Sequence, residues 1–153
     1  MMTIKRRLVC AGVAAALGLA AAAQAQTLRF ASQGDPQTMD PHSQNESFTN
    51  SVNQQVYEYL IHRDRQLNFV PGLATSWEQL SPLKWRFKLR QGVKFHDGSS
   101  FNADDVVYSV NRAKEPTSQI AVYANAVGTP KKIDDYTVEF DLAKVNPIFL
   151  EHI

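Results

Sequence analysis

The chain has 153 residues with 16 basic and 15 acidic side chains, and three of the bases, Lys5, Arg6 and Arg7, lie in an N-terminal stretch free of acidic residues. Without residues 1–25 the balance is 13 basic against 15 acidic side chains, which excludes a nucleic-acid binder relying on a basic patch. The one cysteine, Cys10, lies in the same stretch, so the rest has no disulfide, thiolate metal site or cysteine nucleophile.

The N-terminal stretch reads as a secretory leader. Residues 1–7 form a positive start, residues 8–22 an apolar Ala-rich run, and Ala23-Gln24-Ala25 an A-x-A cleavage signal. Cleavage between Ala25 and Gln26 is expected, with export to a bacterial periplasm. The competing reading is an N-terminal core helix, which the basic start and the small residues at the cleavage point disfavour. Arg6-Arg7 leaves twin-arginine export open. Cys10 lacks the small preceding residue usual at a lipidated cysteine. After the leader no apolar run approaches the roughly 18 residues of a membrane helix. The length suits one domain of about 100–150 residues.

Residues 27–32 alternate, with Leu28 and Phe30 on one face, and predict a short first strand. Asp35-Pro36 and Asp40-Pro41 are turn signals. Val52, Val56 and Leu60 recur at helical spacing and predict a helix over residues 47–59. Residues 60–62 and 67–70 are expected to pair across a charged turn. Residues 76–80 and 84–89 predict a second hairpin, with Trp85, Phe87 and Leu89 facing one way and Lys84, Arg86 and Lys88 the other. Residues 93–95 read as a short strand closed by Asp97-Gly98.

Asn102 then caps a helix whose first turn carries Asp104 and Asp105, with Val106, Val107, Val110 and Ala113 facing inward and Pro116 as the stop. Residues 127–133 and 137–142 form a last hairpin. Asn146-Pro147 signals one more helix start. An apolar face opening so near Ile153 leads us to expect that further chain follows, making this an N-terminal fragment.

No catalytic residue is nominated. His42, His62, His96 and His152 show no metal-ligand spacing and read as turn or surface histidines. Asp97, Asp104 and Asp105 form the densest carboxylate group, and turn and helix-start roles account for all three. Trp77, Trp85, Phe87 and Phe95 suit a stacking platform for a ligand, but at strand spacing they read better as core.

The run Leu73-Ala74-Thr75-Ser76-Trp77 leads to Trp85-Arg86-Phe87-Lys88-Leu89-Arg90-Gln91-Gly92-Val93-Lys94-Phe95-His96-Asp97-Gly98 and then to Phe101-Asn102-Ala103-Asp104-Asp105-Val106-Val107-Tyr108-Ser109. This resembles the signature of the family 5 solute-binding proteins of ABC importers, the dipeptide, oligopeptide and nickel-binding group. Asp40-Pro41-His42, Val56-Tyr57-Glu58-Tyr59-Leu60 and Val70-Pro71-Gly72-Leu73 agree with it.

The resemblance implies an α/β fold: the N-terminal part of a two-lobed periplasmic binding protein of class II type, with an inserted small α+β domain of antiparallel hairpins and helices. Residues 26–45 would carry the first strand and lead-in segment of the larger lobe, and residues 46–153 mostly the inserted domain. It implies a small peptide or similar solute as ligand, with nickel, haem, glutathione and opine-type ligands left open, and an inner-membrane ABC permease as partner, in a monomeric, non-enzymatic role; no cofactor and no metal-site residue is nominated. In peptide binders of the family the segment after Asp-Pro lines the cleft, which nominates Asn45, Glu46 and Ser47 as ligand-binding. Their alternative role is a helix lead-in, with Ser47 as the cap. Two other functions stay open: a secreted hydrolase with its active site in a missing C-terminal part, and a holdase-like module for unfolded chains.

Overall fold

The computed structural model describes residues 29–32 and 34–153. The expected leader, with its Ala25/Gln26 cleavage point, lies outside the described residues. The chain divides into two units, Met1–Gln33 and Gly34–Ile153. Within the first, residues 29–32 are not in a strand and Phe30 is exposed. The expected first strand is thus not formed over these residues: alternation becomes a strand only when a neighbouring edge takes up the backbone groups.

The second unit begins with an irregular segment, residues 34–46, followed by α1 (Ser47–Asn53). This helix is shorter than predicted. The stretch at Tyr59 and Leu60 is instead drawn to the chain beyond the first hairpin, where their carbonyls accept from the N–H groups of Leu73 and Ala74 at 2.8 Å each. Long-range pairing therefore overrides the helical spacing of Val52, Val56 and Leu60. Next comes a small hairpin, β1 (Ile61–Arg63) with β2 (Phe69–Pro71). Asp64 closes its loop by accepting from the Gln66 and Asn68 N–H groups, both at 2.9 Å.

A four-stranded antiparallel sheet follows, from β3 (Ala74–Ser81), β4 (Lys84–Leu89), β5 (Thr129–Asp134) and β6 (Thr137–Asp141), in the order β3-β4-β6-β5. Its register places Phe87 opposite Trp77 and Val138, and Trp85 opposite Phe140. The predicted alternation of β4 is observed. Phe87, Phe140 and Val138 are fully buried on one face, under α2 (Ala103–Ala113), which contributes Ala103 and Val106. The predicted core role also holds for Trp85 and Trp77, which pack partly buried against this cluster, whereas Phe95 stays half exposed beside Phe101. The other face is charged: Glu139 lies between Arg86, 2.6 Å away, and Lys84, 3.2 Å away.

Asn102 caps α2 as expected. Its side chain accepts from the Asp104 N–H at 2.7 Å, while Asp105 accepts from the Asn102 N–H at 2.8 Å. Two predictions need trimming. Residues 93–95 form only a bridge, Lys94 with Ser100, because the chain turns back at once at Gly98. The helix expected after Asn146-Pro147 is a single 3₁₀ turn, Phe149–Glu151, which drives Phe149 into the core with its ring stacked on Trp85 at 5.1 Å. A short helix, α3 (Ala121–Ala126), was not foreseen, because six residues without a side-chain cap carry little periodic signal. It ends at Gly128, where φ is +77° and a Cβ would meet the Asp141 carbonyl oxygen at 2.2 Å. Only glycine fits there.

Candidate functional site

The three nominated residues are consecutive at the junction of the 34–46 segment and α1. Asn45 and Ser47 are exposed and Glu46 is partly buried. Glu46, not Ser47, is the helix cap. Its two carboxylate oxygens accept from the Phe48 and Thr49 N–H groups at 2.8 Å each. These bonds, that to Thr49 first, hold its pKa below the usual carboxylate value. The cap expected at Ser47 is displaced by one residue because the longer Glu side chain reaches two open N–H groups at once, with negative charge at the helix's positive end.

Upstream, the segment is tied down at several points. The Gln37 N–H donates to the hydroxyl of fully buried Thr49 at 3.1 Å. The Tyr57 hydroxyl donates to the Met39 carbonyl at 2.7 Å. Asp40 accepts from the His42 N–H at 3.0 Å, which tightens the Asp-Pro-His turn. The His42 carbonyl accepts from the Gln119 N–H at 2.9 Å.

The firmest tie is Arg112 on the last turn of α2. Its Nη1 and Nη2 meet the two Asp40 carboxylate oxygens at 2.8 and 2.6 Å. Nη1 also lies 2.8 Å from His42 Nδ1. A guanidinium only donates, so this nitrogen of His42 accepts and the ring is neutral. The Arg112 hydrogen bonds hold the Asp40 carboxyl far below its usual range, and burial, then the Arg112 charge, pushes His42 down from 6.5. By its position in the last turn, Arg112 reads only as a cation that suits the helix dipole. Nothing local signals a partner 72 positions away.

Between these ties the main chain of Gln44 and Asn45 has no hydrogen-bond partner among the described residues. The segment thus presents open backbone donors and acceptors, fixed on one side by the Arg112 clamp and on the other by the Glu46 cap. Backbone N–H and C=O groups left open in this way can pair with the main chain of an extended peptide.

An open groove of about 410 Å³ lies elsewhere, walled by Tyr59, Ile61, Phe69 and Leu150 with the ion pair of Arg63 and Glu151 at its side. None of the nominated residues lines it. Among the described residues no group of three or more His, Cys, Asp or Glu side chains is arranged to hold a metal ion, and no helix is long and apolar enough to cross a membrane.

The family model for bacterial extracellular solute-binding proteins, family 5 (middle), matches residues 68–153. The chain belongs to this family. A glutathione-binding protein of Pectobacterium atrosepticum is 32% identical over all of this chain and 30% of its own length. A dipeptide-binding protein of Escherichia coli is 34% identical over 88% of this chain and 29% of its own. The solved structure of NikZ from Campylobacter jejuni in complex with Ni(L-His) superposes on 78% of this chain and 24% of its own, with a TM-score of 0.70 at 29% identity. The chain therefore spans about three-tenths of the length of the curated relatives it matches. The family read from residues 73–109 and the mixed α/β architecture are both established. The two curated relatives are named as binding proteins, not as enzymes.

Proposed function

We propose that this chain is part of a periplasmic receptor that captures short peptides, or a similar small solute, for an ABC importer. Residues 1–25 would direct export. Residues 26–45 would open the larger lobe and residues 46–153 would form most of the inserted domain. The receptor would act as a monomer, close around its ligand by a hinge motion and present the closed form to a membrane permease. No bond in the ligand is made or broken, and no cofactor is called for.

The observation that carries this reading is the Gln44–Asn45 backbone, open between two fixed ends and next to Glu46 and Ser47. Relatives named for a dipeptide and for glutathione, itself a peptide, support a peptide-like ligand. Asn45 and Ser47 would offer side-chain contacts. Glu46 would act mainly through its main chain, since its carboxylate is engaged in the cap.

The test starts by reading the gene past the codon for Ile153. An open frame of family length is expected. Its full-length product should bind Ala-Ala, trialanine or glutathione in titration calorimetry, and become more compact in X-ray scattering. A stop codon directly after Ile153, or hydrolysis of the peptides instead of retention, would overturn the reading.

A further inference from the structure

Arg112 is the one basic residue in the last turn of α2. A cation there suits the helix dipole, but that does not require its fork to face a turn from the start of the unit. The fork meets three acceptors, two oxygens of Asp40 and one nitrogen of His42, all within 2.8 Å. Two parallel bonds to a carboxylate fix both the distance and the rotation of the turn, which a lysine's single ammonium cannot do.

Gln44 and Asn45, next along the chain, have no bonds of their own among the described residues. Their course is inherited from the two ends. The Glu46 cap ties one end only to α1, a bond between chain neighbours. The Asp40–His42 turn ties the other end to α2, and the Gln119 N–H on the His42 carbonyl adds one bond from the loop after it.

We infer that Arg112 is the positioning residue of the ligand segment: its guanidinium seats the Asp40–His42 turn on α2 and thereby sets where the Gln44 and Asn45 backbone lies. The link to ligand rests on the function proposed above, whereas the positioning itself does not. Without the fork, the segment keeps its α1 anchor and the single hydrogen bonds of Gln37, Met39 and the His42 carbonyl, none of which fixes the rotation of the turn, and it loosens between them. The sheet, packed through Phe87, Phe140 and Phe149, has no reason to respond.

The experiment uses the full-length protein with paired nitroxide labels and pulsed-EPR distances. One pair, Asn45→Cys with Gln79→Cys, spans the segment and the sheet, and a reference pair, Gln79→Cys with Lys131→Cys, lies within the sheet. In an Arg112→Gln background the first distance distribution should broaden and the reference should stay narrow. Asp40→Asn should act in the same direction, and the double variant no further than Arg112→Gln alone. Two narrow distributions would overturn the inference, and so would equal broadening of both, which marks a general stabilising role.

Trialanine affinity of the unlabelled variant should fall by about tenfold or more, the scale of a charged hydrogen bond. Selective broadening with unchanged affinity would overturn the link between segment and ligand. Selective broadening in a protein whose wild type binds none of Ala-Ala, trialanine and glutathione would uphold the positioning role and bring down the peptide-receptor reading instead.

Discussion

The sheet and the 34–46 segment are held in different ways. Around β4 and β6, Phe87, Phe140 and Phe149 meet ring to ring at 5.5 to 6.1 Å with almost no exposed surface. Many weak contacts share that burial. The segment has no fully buried residue and depends on a few directional groups: Glu46, Thr49, Tyr57 and Arg112. A packed core fails as a whole, while a pinned loop fails at one pin. A segment that must lie in one place yet keep its backbone free is suited to pinning, because packing would cover its open N–H and C=O groups.

The contrast can be broken first at the core. Phe87→Ala should cost about 3–5 kcal/mol in chemical denaturation, with all probes moving together. Gly128→Ala forces a left-handed φ and a contact at 2.2 Å, and should cost about 1–3 kcal/mol. Its effect should be centred on the join between α3 and β5, as read by hydrogen exchange. Asn102→Ala removes the α2 cap and should cost about 1 kcal/mol. That loss should appear as fraying of the helix start, with Arg112 at the far end still in register.

The smallest effect is expected from pH. His42 faces Arg112, Asp40 and Glu115, and its pKa in the folded chain is depressed below 6.5. The unfolded chain therefore takes up a proton first as the pH falls. Stability from this site is complete above pH 6.5 and declines below it, through the depressed folded value. The neutral ring accepts from Arg112, and a protonated ring would oppose it. Melting curves between pH 7.5 and 5 should show a shallow decline that His42→Gln removes. A flat wild-type profile would show that the clamp does not depend on the neutral ring.

What was legible in the sequence follows the same division. Trp85, Phe87 and Leu89 announce their strand because burial on one face of a sheet imposes a period of two. Asn102 and Asp105 announce the α2 start because capping is a matter of neighbouring residues. Asn45, Glu46 and Ser47 were reached through family resemblance, and the detail at Glu46 was misjudged since glutamate is not a favoured cap type. The end of α1 was missed because its cause, pairing of Tyr59 and Leu60 with Leu73 and Ala74, lies outside the helix. Arg112 and Asp40 carry no mutual sign, since a pair formed by two isolated charged residues leaves no pattern.

The clamp also has a consequence in time. It joins positions 72 residues apart, whereas the β3–β4 and β5–β6 hairpins close over a few residues. Loop closure over a long span costs more chain entropy and is repaid only once both ends are already shaped. The two hairpins and α2 are therefore expected to form before Asp40 finds Arg112, while the β4–β6 pairing that joins the hairpins spans about 50 residues and shares the clamp's entropic cost. Asp40→Asn is accordingly expected to leave the refolding rate nearly unchanged and to speed unfolding, the signature of a contact made after the transition state.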